Sequence, residues 1–234
     1  MLTLKEIMKF QTVIFDLFGT LINDFATSAG SVNAEMAAAL ALPYEQFLSV
    51  WNQTVEMRII GAFETVEANI AYVLNALNQD ARVEQIERAV KIRMKCIGQV
   101  LQPRPDAVST LAQLKTLGFK LGLISNASIE IPLLWQETAF ADLIDEPIFS
   151  SRAHLKKPDT RIYHLACERL AVSPESCLYV GDGEDRELSA AAKVGLHPVL
   201  IRTSSEQSMS GLHQEAKEWQ GATITRLPEV LQLV

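Results

Sequence analysis

Asp16 ends the apolar run Val13-Ile14-Phe15 and is followed by Leu17-Phe18-Gly19-Thr20. A run this short reads as a strand buried on both faces of a sheet. A carboxylate at its end is costly to bury unless a cation or hydrogen bonds meet it. Asp before Gly is also common in plain turns, so this stretch alone leaves turn-capping and chemistry both open. Three other places carry matching groups: Ser125-Asn126, Lys157-Pro158 and Gly181-Asp182. Asp16, Ser125-Asn126 and Asp182 each follow a predicted strand, and Lys157 sits in a loop just after one. If those strands are neighbours, two carboxylates, a hydroxyl, an amide and an ammonium converge on one crevice. Two nearby carboxylates repel and call for a cation, and hard oxygen ligands suit Mg²⁺. A lysine beside a nucleophilic carboxylate would keep it ionised and neutralise an anionic substrate, while Ser and Asn add donors for phosphate-like oxygens.

The elements that must position these groups fall into two patterns. From residue 23 to about 99, four amphipathic helices are predicted near 30–41, 43–60, 65–78 and 83–100, on spacings such as Ile70, Val73, Leu74, Leu77. Pro43 and Asn78 punctuate them. The acidic and basic pairs within 82–95 read as a solvated helix face. After Pro103-Arg104-Pro105, strands and helices alternate. A helix over 106–117 stops at Gly118, and strands follow at 120–124, 147–150, 177–180, 198–201 and 222–225, with helices over 159–170 and 186–194 between them. Ser173-Pro174 has the form of an N-cap followed by an N1 proline. Alternating strands and helices imply a parallel sheet with helices on both faces, where ligands bind outside the carboxyl ends of the strands. The expected fold is therefore α/β, a three-layer Rossmann-like core made of 1–22 and 100–234, with a small α-helical domain at 23–99 inserted after the first strand.

The ordered set Asp16-Leu17-Phe18-Gly19-Thr20, Ser125-Asn126, Lys157-Pro158-Asp159 and Gly181-Asp182 resembles the haloacid dehalogenase superfamily of hydrolases. The resemblance covers nearly the whole chain, because the block at 23–99 is similar to that family's helical cap. It implies Asp16 as covalent nucleophile, Lys157 as the ammonium, and Thr20 or Ser125 with Asn126 as phosphoryl-binding groups. It also implies Asp16, Asp182 and the Phe18 carbonyl as Mg²⁺ ligands. The family's second acidic position, five after Asp182, is filled by Glu187 rather than Asp, with Asp185 as the alternative in a tighter loop. Either would hold a metal-bound water.

Phe18 departs from the family's phosphatases, which usually place there an Asp that is acid to the leaving group and base to the water. Such help is typically worth ~10²–10⁴ in rate, roughly 3–5 kcal/mol of barrier. The chain is thus expected to favour leaving groups that need no proton, such as an acyl phosphate or a halide. The family's dehalogenases carry an aromatic at this place, usually Tyr. They are also metal-independent, lack the Gly-Asp of the fourth motif and place an arginine early in the cap. Here Gly181-Asp182 is intact and no Arg occurs between Lys9 and Arg58. The resemblance therefore implies Mg²⁺-dependent hydrolysis of a small phosphorylated metabolite through an aspartyl-phosphate on Asp16. The alternatives are 2-haloacid dehalogenation, with Asp16 attacking carbon, and a catalytically weak protein that holds a phosphorylated ligand.

Other residues carry less weight. Arg58 is either a cap contact for an anionic substrate or part of a solvated face. His154 reads as a surface residue near the Lys157 loop. Trp51 reads as packing or as lining of the substrate entrance, and Trp135 and Trp219 as packing. The 234 residues leave room for a sizeable core, and 48% hydrophobic with 21% charged residues is ordinary for a globular chain. A net charge of −7 argues against nucleic acid. The scattered Cys96, Cys167 and Cys177 show no metal-type spacing and suit a reducing compartment, the cytoplasm, with Cys177 as core. No apolar run approaches ~20 residues, so no membrane span is expected. The opening Met1–Ile7 contains Glu6 and lacks a signal-peptide core. The expected state is a monomer or homodimer acting on a small anionic molecule.

Overall fold

The run Val13-Ile14-Phe15 forms strand β1 (Thr12–Phe15), buried along its length. A computed structural model of the chain describes residues 10–23, 29–202 and 213–234. The opening Met1–Ile7, with the expectation about export, lies outside the described residues. After β1 the backbone curls tightly, and the N–H groups of Thr20, Leu21 and Ile22 all donate to the Leu17 carbonyl.

Helices α1 (Ala29–Ala39), α2 (Tyr44–Gln53), α3 (Val55–Ile59), α4 (Val66–Ala76) and α5 (Val83–Val100) follow. The helix expected over 43–60 is two helices. Thr54 breaks it, because its hydroxyl donates to the Trp51 carbonyl at 2.8 Å and competes with the backbone ladder. Helix α4 starts where the Thr65 hydroxyl accepts from the Ala68 N–H at 3.1 Å, and stops before Asn78, which takes a left-handed φ of 50°. Their apolar faces close on a core of Met36, Leu40, Phe47, Trp51, Ile70 and Val73, into which Ile129 reaches from outside the helical block. The face over 82–95 is not wholly solvated. Arg93 is buried and pairs with the buried Glu130, Nε to Oε1 2.7 Å.

The remainder alternates: α6 (Ala107–Thr116), β2 (Lys120–Ser125), α7 (Glu130–Leu134), β3 (Glu146–Phe149), α8 (Ser150–Ala153), α9 (Thr160–Leu170), β4 (Cys177–Gly181), α10 (Glu187–Val194), β5 (His197–Ile201), α11 (Gln214–Glu218) and β6 (Ala222–Ile224). Strand β3 ends one residue earlier than expected. Phe149 pairs with Ser125, the last residue of β2, so Ser150 has no ladder partner and turns into α8. Pro174 opens a 3₁₀ turn as the sequence suggests, but Ser173 caps through its carbonyl, which accepts from the Ser176 N–H and hydroxyl, and its side chain makes no cap bond.

All pairings are parallel, in the order β3-β2-β1-β4-β5-β6. The pleat sends Val13 and Phe15 to one face, with Leu111 and Leu114 of α6, and Ile14 to the other, with Ile162, Leu170 and Leu188 of α9 and α10. This is the expected three-layer α/β architecture. Close packing of the second face needs Gly122, where a Cβ would lie 2.8 Å from Leu170 Cδ1. Strand order reverses at β1, and such a switch point opens a crevice at the carboxyl ends of the strands. Phe15 lies level with Leu123 of β2 and Val180 of β4, so Asp16 projects between the ends of both. Among the described residues no helix is long and apolar enough to cross a membrane.

Candidate active site

Each motif reaches the crevice by a local device. Asp16 leaves β1 with its N–H bonded to the Val180 carbonyl at 2.9 Å, which locks the strand end to β4. Gly19 has a φ of +73°, and a Cβ there would stand 2.0 Å from Asp182 Oδ2; only glycine lets the Asp182 carboxylate rest on this turn. The loop 154–158 is held by Asn126, whose Oδ1 accepts from the Lys157 N–H at 2.8 Å and whose Nδ2 donates to the Lys157 carbonyl at 3.0 Å. Nδ2 also donates to Asp185 at 2.7 Å. Asn126 thus has its side chain engaged with the backbone of the lysine loop and with the loop after β4.

Lys157 is 3% exposed, and its Nζ lies 2.5 Å from both Asp16 Oδ1 and Glu187 Oε2. Glu187 Oε2 accepts from the Tyr179 hydroxyl at 2.7 Å, and Oε1 accepts from the Gly183 N–H at 3.0 Å. Gly181 makes room, since a Cβ there would sit 2.1 Å from Glu187 Oε1. Asp182 Oδ1 accepts from the Glu184 N–H at 3.0 Å, and its Oδ2 lies 3.4 Å from His213 Nε2. Carboxylate oxygens of Asp16, Asp182 and Glu187 lie within 4.8 Å of one another, all three residues buried.

Charge in this crevice is unbalanced. Burial pushes the Asp16 carboxyl up to about 7, with Lys157 opposing the rise and Glu187 adding to it. Burial, then Glu187 and Asp16, hold Asp182 well above the usual carboxylate range. Burial works against the Lys157 ammonium, but Asp16 and Glu187 outweigh it and keep its pKa well above the ordinary value. Three buried polar atoms among the motif residues have no partner among the described residues: Asp16 Oδ2, Thr20 Oγ1 and Ser125 Oγ. Buried polar atoms are normally paired, so these three are candidates to meet a ligand's own polar atoms.

Phe18 brings no titratable group; its half-buried ring packs against the core beneath the sheet end. Arg58 is neither on a solvated face nor bonded to the motif residues. Its guanidinium sits 4.3 Å over the Trp51 ring and Nη1 donates to the Trp51 carbonyl at 2.8 Å and to the Thr54 hydroxyl. It lines a small pocket with Phe63, Asn69, Ile129 and Glu130. Burial pushes its pKa down to about 10, Arg93 adding and Glu130 opposing. Trp51 beneath it is packing, 2% exposed. His154 is exposed, with Nδ1 3.1 Å from the Ile60 carbonyl. Asp185 takes a left-handed φ of 53° and meets Asn126 rather than the carboxylate cluster. Cys96, Cys167 and Cys177 are free and buried.

Sequence reasoning missed Tyr179 and His213. The signal for Tyr179 was a phenol inside an otherwise apolar buried strand, where the hydroxyl needs a partner. His213 carried no local signal.

Residues 10–195 match the haloacid dehalogenase-like hydrolase family. The chain is 25% identical to (S)-2-haloacid dehalogenase 4A of Burkholderia cepacia, over 80% of this chain and 81% of that one. It is 24% identical to glyceraldehyde 3-phosphate phosphatase of Methanocaldococcus jannaschii, over 95% and 96% respectively. The crystal structure of a 2-haloacid dehalogenase from Pseudomonas syringae superposes with a TM-score of 0.71 at 20% identity, covering 96% of this chain and 97% of that one. One of these relatives is named a dehalogenase and another a phosphatase, and the structural superposition extends over nearly the whole chain. The chain belongs to the haloacid dehalogenase-like hydrolases.

Proposed function

We propose that the chain is a Mg²⁺-dependent phosphohydrolase that works through an aspartyl-phosphate on Asp16. The observation that carries this reading is Asp182, a second buried carboxylate beside the nucleophile. Three carboxylates face one ammonium in this crevice. At the 4.8 Å limit of their spacing, two like charges repel by ~3.5 kcal/mol at an effective dielectric of about 20. A divalent cation relieves that excess, and an all-oxygen donor set suits Mg²⁺. Asp16 and Asp182, with the Phe18 carbonyl, would hold it. Glu187 has both oxygens committed to Lys157, Tyr179 and Gly183, so its proposed part is to hold the lysine and close the acidic set. When bound, the ion neutralises the carboxylates and polarises the phosphoryl group.

The chain's own residues supply the rest. Asp16 Oδ1 is anchored by Lys157, which leaves the unpartnered Oδ2 as the attacking atom. Lys157 places a permanent positive charge against an anionic phosphoryl group. Thr20 Oγ1 and Ser125 Oγ, both buried donors without partners, would bond its oxygens. Asn126 serves as the staple of the lysine loop. Attack on phosphorus forms the acyl phosphate on Asp16 and expels the leaving group; water then cleaves the acyl phosphate and regenerates the carboxylate. Phe18 offers no proton in either half, so good leaving groups are favoured. The helical block 23–99 acts as a cap over the core of 1–22 and 100–234, and a relative named for glyceraldehyde 3-phosphate supports a small phosphorylated metabolite as substrate.

A second reading is supported by Phe18 and by the likeness to (S)-2-haloacid dehalogenase 4A. There Asp16 Oδ2 attacks the halogen-bearing carbon of a 2-haloacid and halide leaves unprotonated. One experiment separates the two: turnover of acyl phosphates, alkyl phosphates and 2-haloacids, each with Mg²⁺ and with chelator. Phosphate release that needs Mg²⁺ is the expected result, with Mg²⁺ binding by calorimetry lost in Asp182→Ala. Halide release in chelator, or equal Mg²⁺ affinity in that variant, overturns the proposal.

A further inference from the structure

Lys157 carries three ammonium protons, and a buried ammonium is stable only when all of them are met. Two go to carboxylates, Asp16 Oδ1 and Glu187 Oε2, each at 2.5 Å. The third direction is taken by the Tyr179 hydroxyl oxygen, a longer contact at 3.4 Å. That hydroxyl in turn donates its own proton to Glu187 Oε2 at 2.7 Å. Lysine, glutamate and tyrosine therefore close a triangle with Asp16 at its open corner. Tyr179 lies on the central strand β4 and is fully buried, its ring edge-on to Tyr163 at 5.4 Å. Its backbone is fixed by pairing with β1 and β5, Tyr179 standing level with Ile14 and Pro198. The hydroxyl is thus held by the sheet, unlike Lys157 and Glu187, whose side chains come from a loop and a helix start.

We propose that Tyr179 is a positioning residue: it fixes Glu187, and with it the Lys157 ammonium, against the nucleophile Asp16. The proposal rests on Asp16 and Lys157 being the reacting pair and holds for attack on phosphorus or on carbon alike. Without the hydroxyl, Glu187 Oε2 loses its only neutral donor among the described residues, and the ammonium keeps one buried proton without that acceptor. The lysine then samples positions away from Asp16, and the reaction slows while substrate binding changes little.

The test uses the full chain with Tyr179→Phe, which removes one oxygen and keeps the ring. Loss of a hydrogen bond to a charged group predicts a kcat lower by about tenfold, with KM within about twofold of the parent. The second readout is independent of turnover. In ¹⁵N-labelled protein the Lys157 ammonium, assigned by its disappearance in Lys157→Arg, should exchange slowly enough to be seen by NMR. Its proton exchange should quicken by about tenfold or more in Tyr179→Phe, a change that a purely packing role would not produce. In the unaltered protein the Tyr179 hydroxyl proton should also be protected and show a nuclear Overhauser effect to that ammonium. This measurement decides the matter if the variant fails to fold. Unchanged ammonium exchange, an unprotected hydroxyl proton, or full kcat in a folded Tyr179→Phe each overturns the proposal. A chain that turns over none of the substrate classes defeats the hydrolase reading instead, and leaves the ammonium measurement to judge Tyr179.

Discussion

Replacing Phe18 by Asp probes the chemistry most directly, because this position separates family phosphatases from a chain without a proton carrier. The cost to the fold follows from packing: the ring is half-buried against the core, so its loss should cost about half of the ~3–5 kcal/mol seen for fully buried Phe→Ala changes, roughly 2 kcal/mol. The gain in rate comes from general acid–base help, ~10²–10⁴ when geometry is ideal. The lower end applies here, because the new carboxyl enters a crevice where three acids already face one ammonium and must find its own orientation. An increase of up to ~10²-fold with alkyl phosphates, about 2.7 kcal/mol of barrier, is the expected outcome. Acyl phosphates, which leave without a proton, should gain far less in the first half-reaction. The parent protein should show the complementary behaviour, a burst of leaving group followed by slow turnover as phospho-Asp16 accumulates. Rapid-quench kinetics on one acyl and one alkyl phosphate, with Mg²⁺, measures both, and Asp16→Asn should be inactive in either background. The reasoning fails if the parent releases halide from 2-haloacids without metal while ignoring acyl phosphates, and loses that activity in Phe18→Asp.

The remaining expectations concern support of the site. Gly19→Ala forces a Cβ to within 2.0 Å of Asp182 Oδ2 at a left-handed φ; a loss of about 1–3 kcal/mol in urea unfolding is expected, and calorimetry should show weakened Mg²⁺ binding. Normal Mg²⁺ affinity would remove the claim that this turn seats Asp182. Glu130→Gln removes the carboxylate that meets the buried Arg93 Nε, and a destabilisation of up to roughly 3–5 kcal/mol should follow, largely recovered in the apolar double variant Arg93→Met with Glu130→Leu. The same pair sets a pH dependence. Burial opposes ionisation of Glu130, but Arg93 outweighs it and holds the carboxyl below its ordinary 4.5. A folded pKa below the unfolded one stabilises above about pH 4.5 and loses that contribution as pH falls through the folded value. Acid titration should therefore destabilise the parent more steeply than the double variant below about pH 4.5; parallel curves would count against the pair.

How much of this was legible in the sequence depends on whether a residue's place is set by its own strand or by a distant partner. Asp16, Ser125 and Asp182 sit where an apolar run meets a polar residue, and in a parallel sheet that junction is the carboxyl edge. Strand pattern therefore placed them correctly without any knowledge of neighbours. The helix break at Thr54 was not legible, since a threonine's choice between ladder and local hydroxyl bond turns on Arg58 and Asn69 also meeting that hydroxyl. Arg93 shows the limit most clearly. Within α5 it is one basic residue on a charged stripe, and helical periodicity assigns that stripe to water. Its partner Glu130 lies 37 residues on, in a short helix of the α/β part. No period in either segment encodes a contact that exists only once the two parts are docked.

The same distinction explains why motif residues and their supports differ in what the sequence tells. The chemistry proposed at Asp16 would need an oxygen nucleophile and a cation, which few residue types can provide, so residue type and spacing suffice to name candidates. Supporting such groups needs only a donor of the right reach, and many residues on many elements provide that. Glu187 is a candidate metal-site acid by its place five after Asp182, and in the folded chain its carboxylate lies near those of Asp16 and Asp182 while bonding Lys157, Tyr179 and the Gly183 N–H. The spacing brought the carboxylate into the crevice; which of its neighbours it bonds was settled by Tyr179, a residue whose strand reads as plain core. With both oxygens so engaged, Glu187 is proposed to keep Lys157 protonated and aimed, and Asp16 and Asp182 to hold the metal.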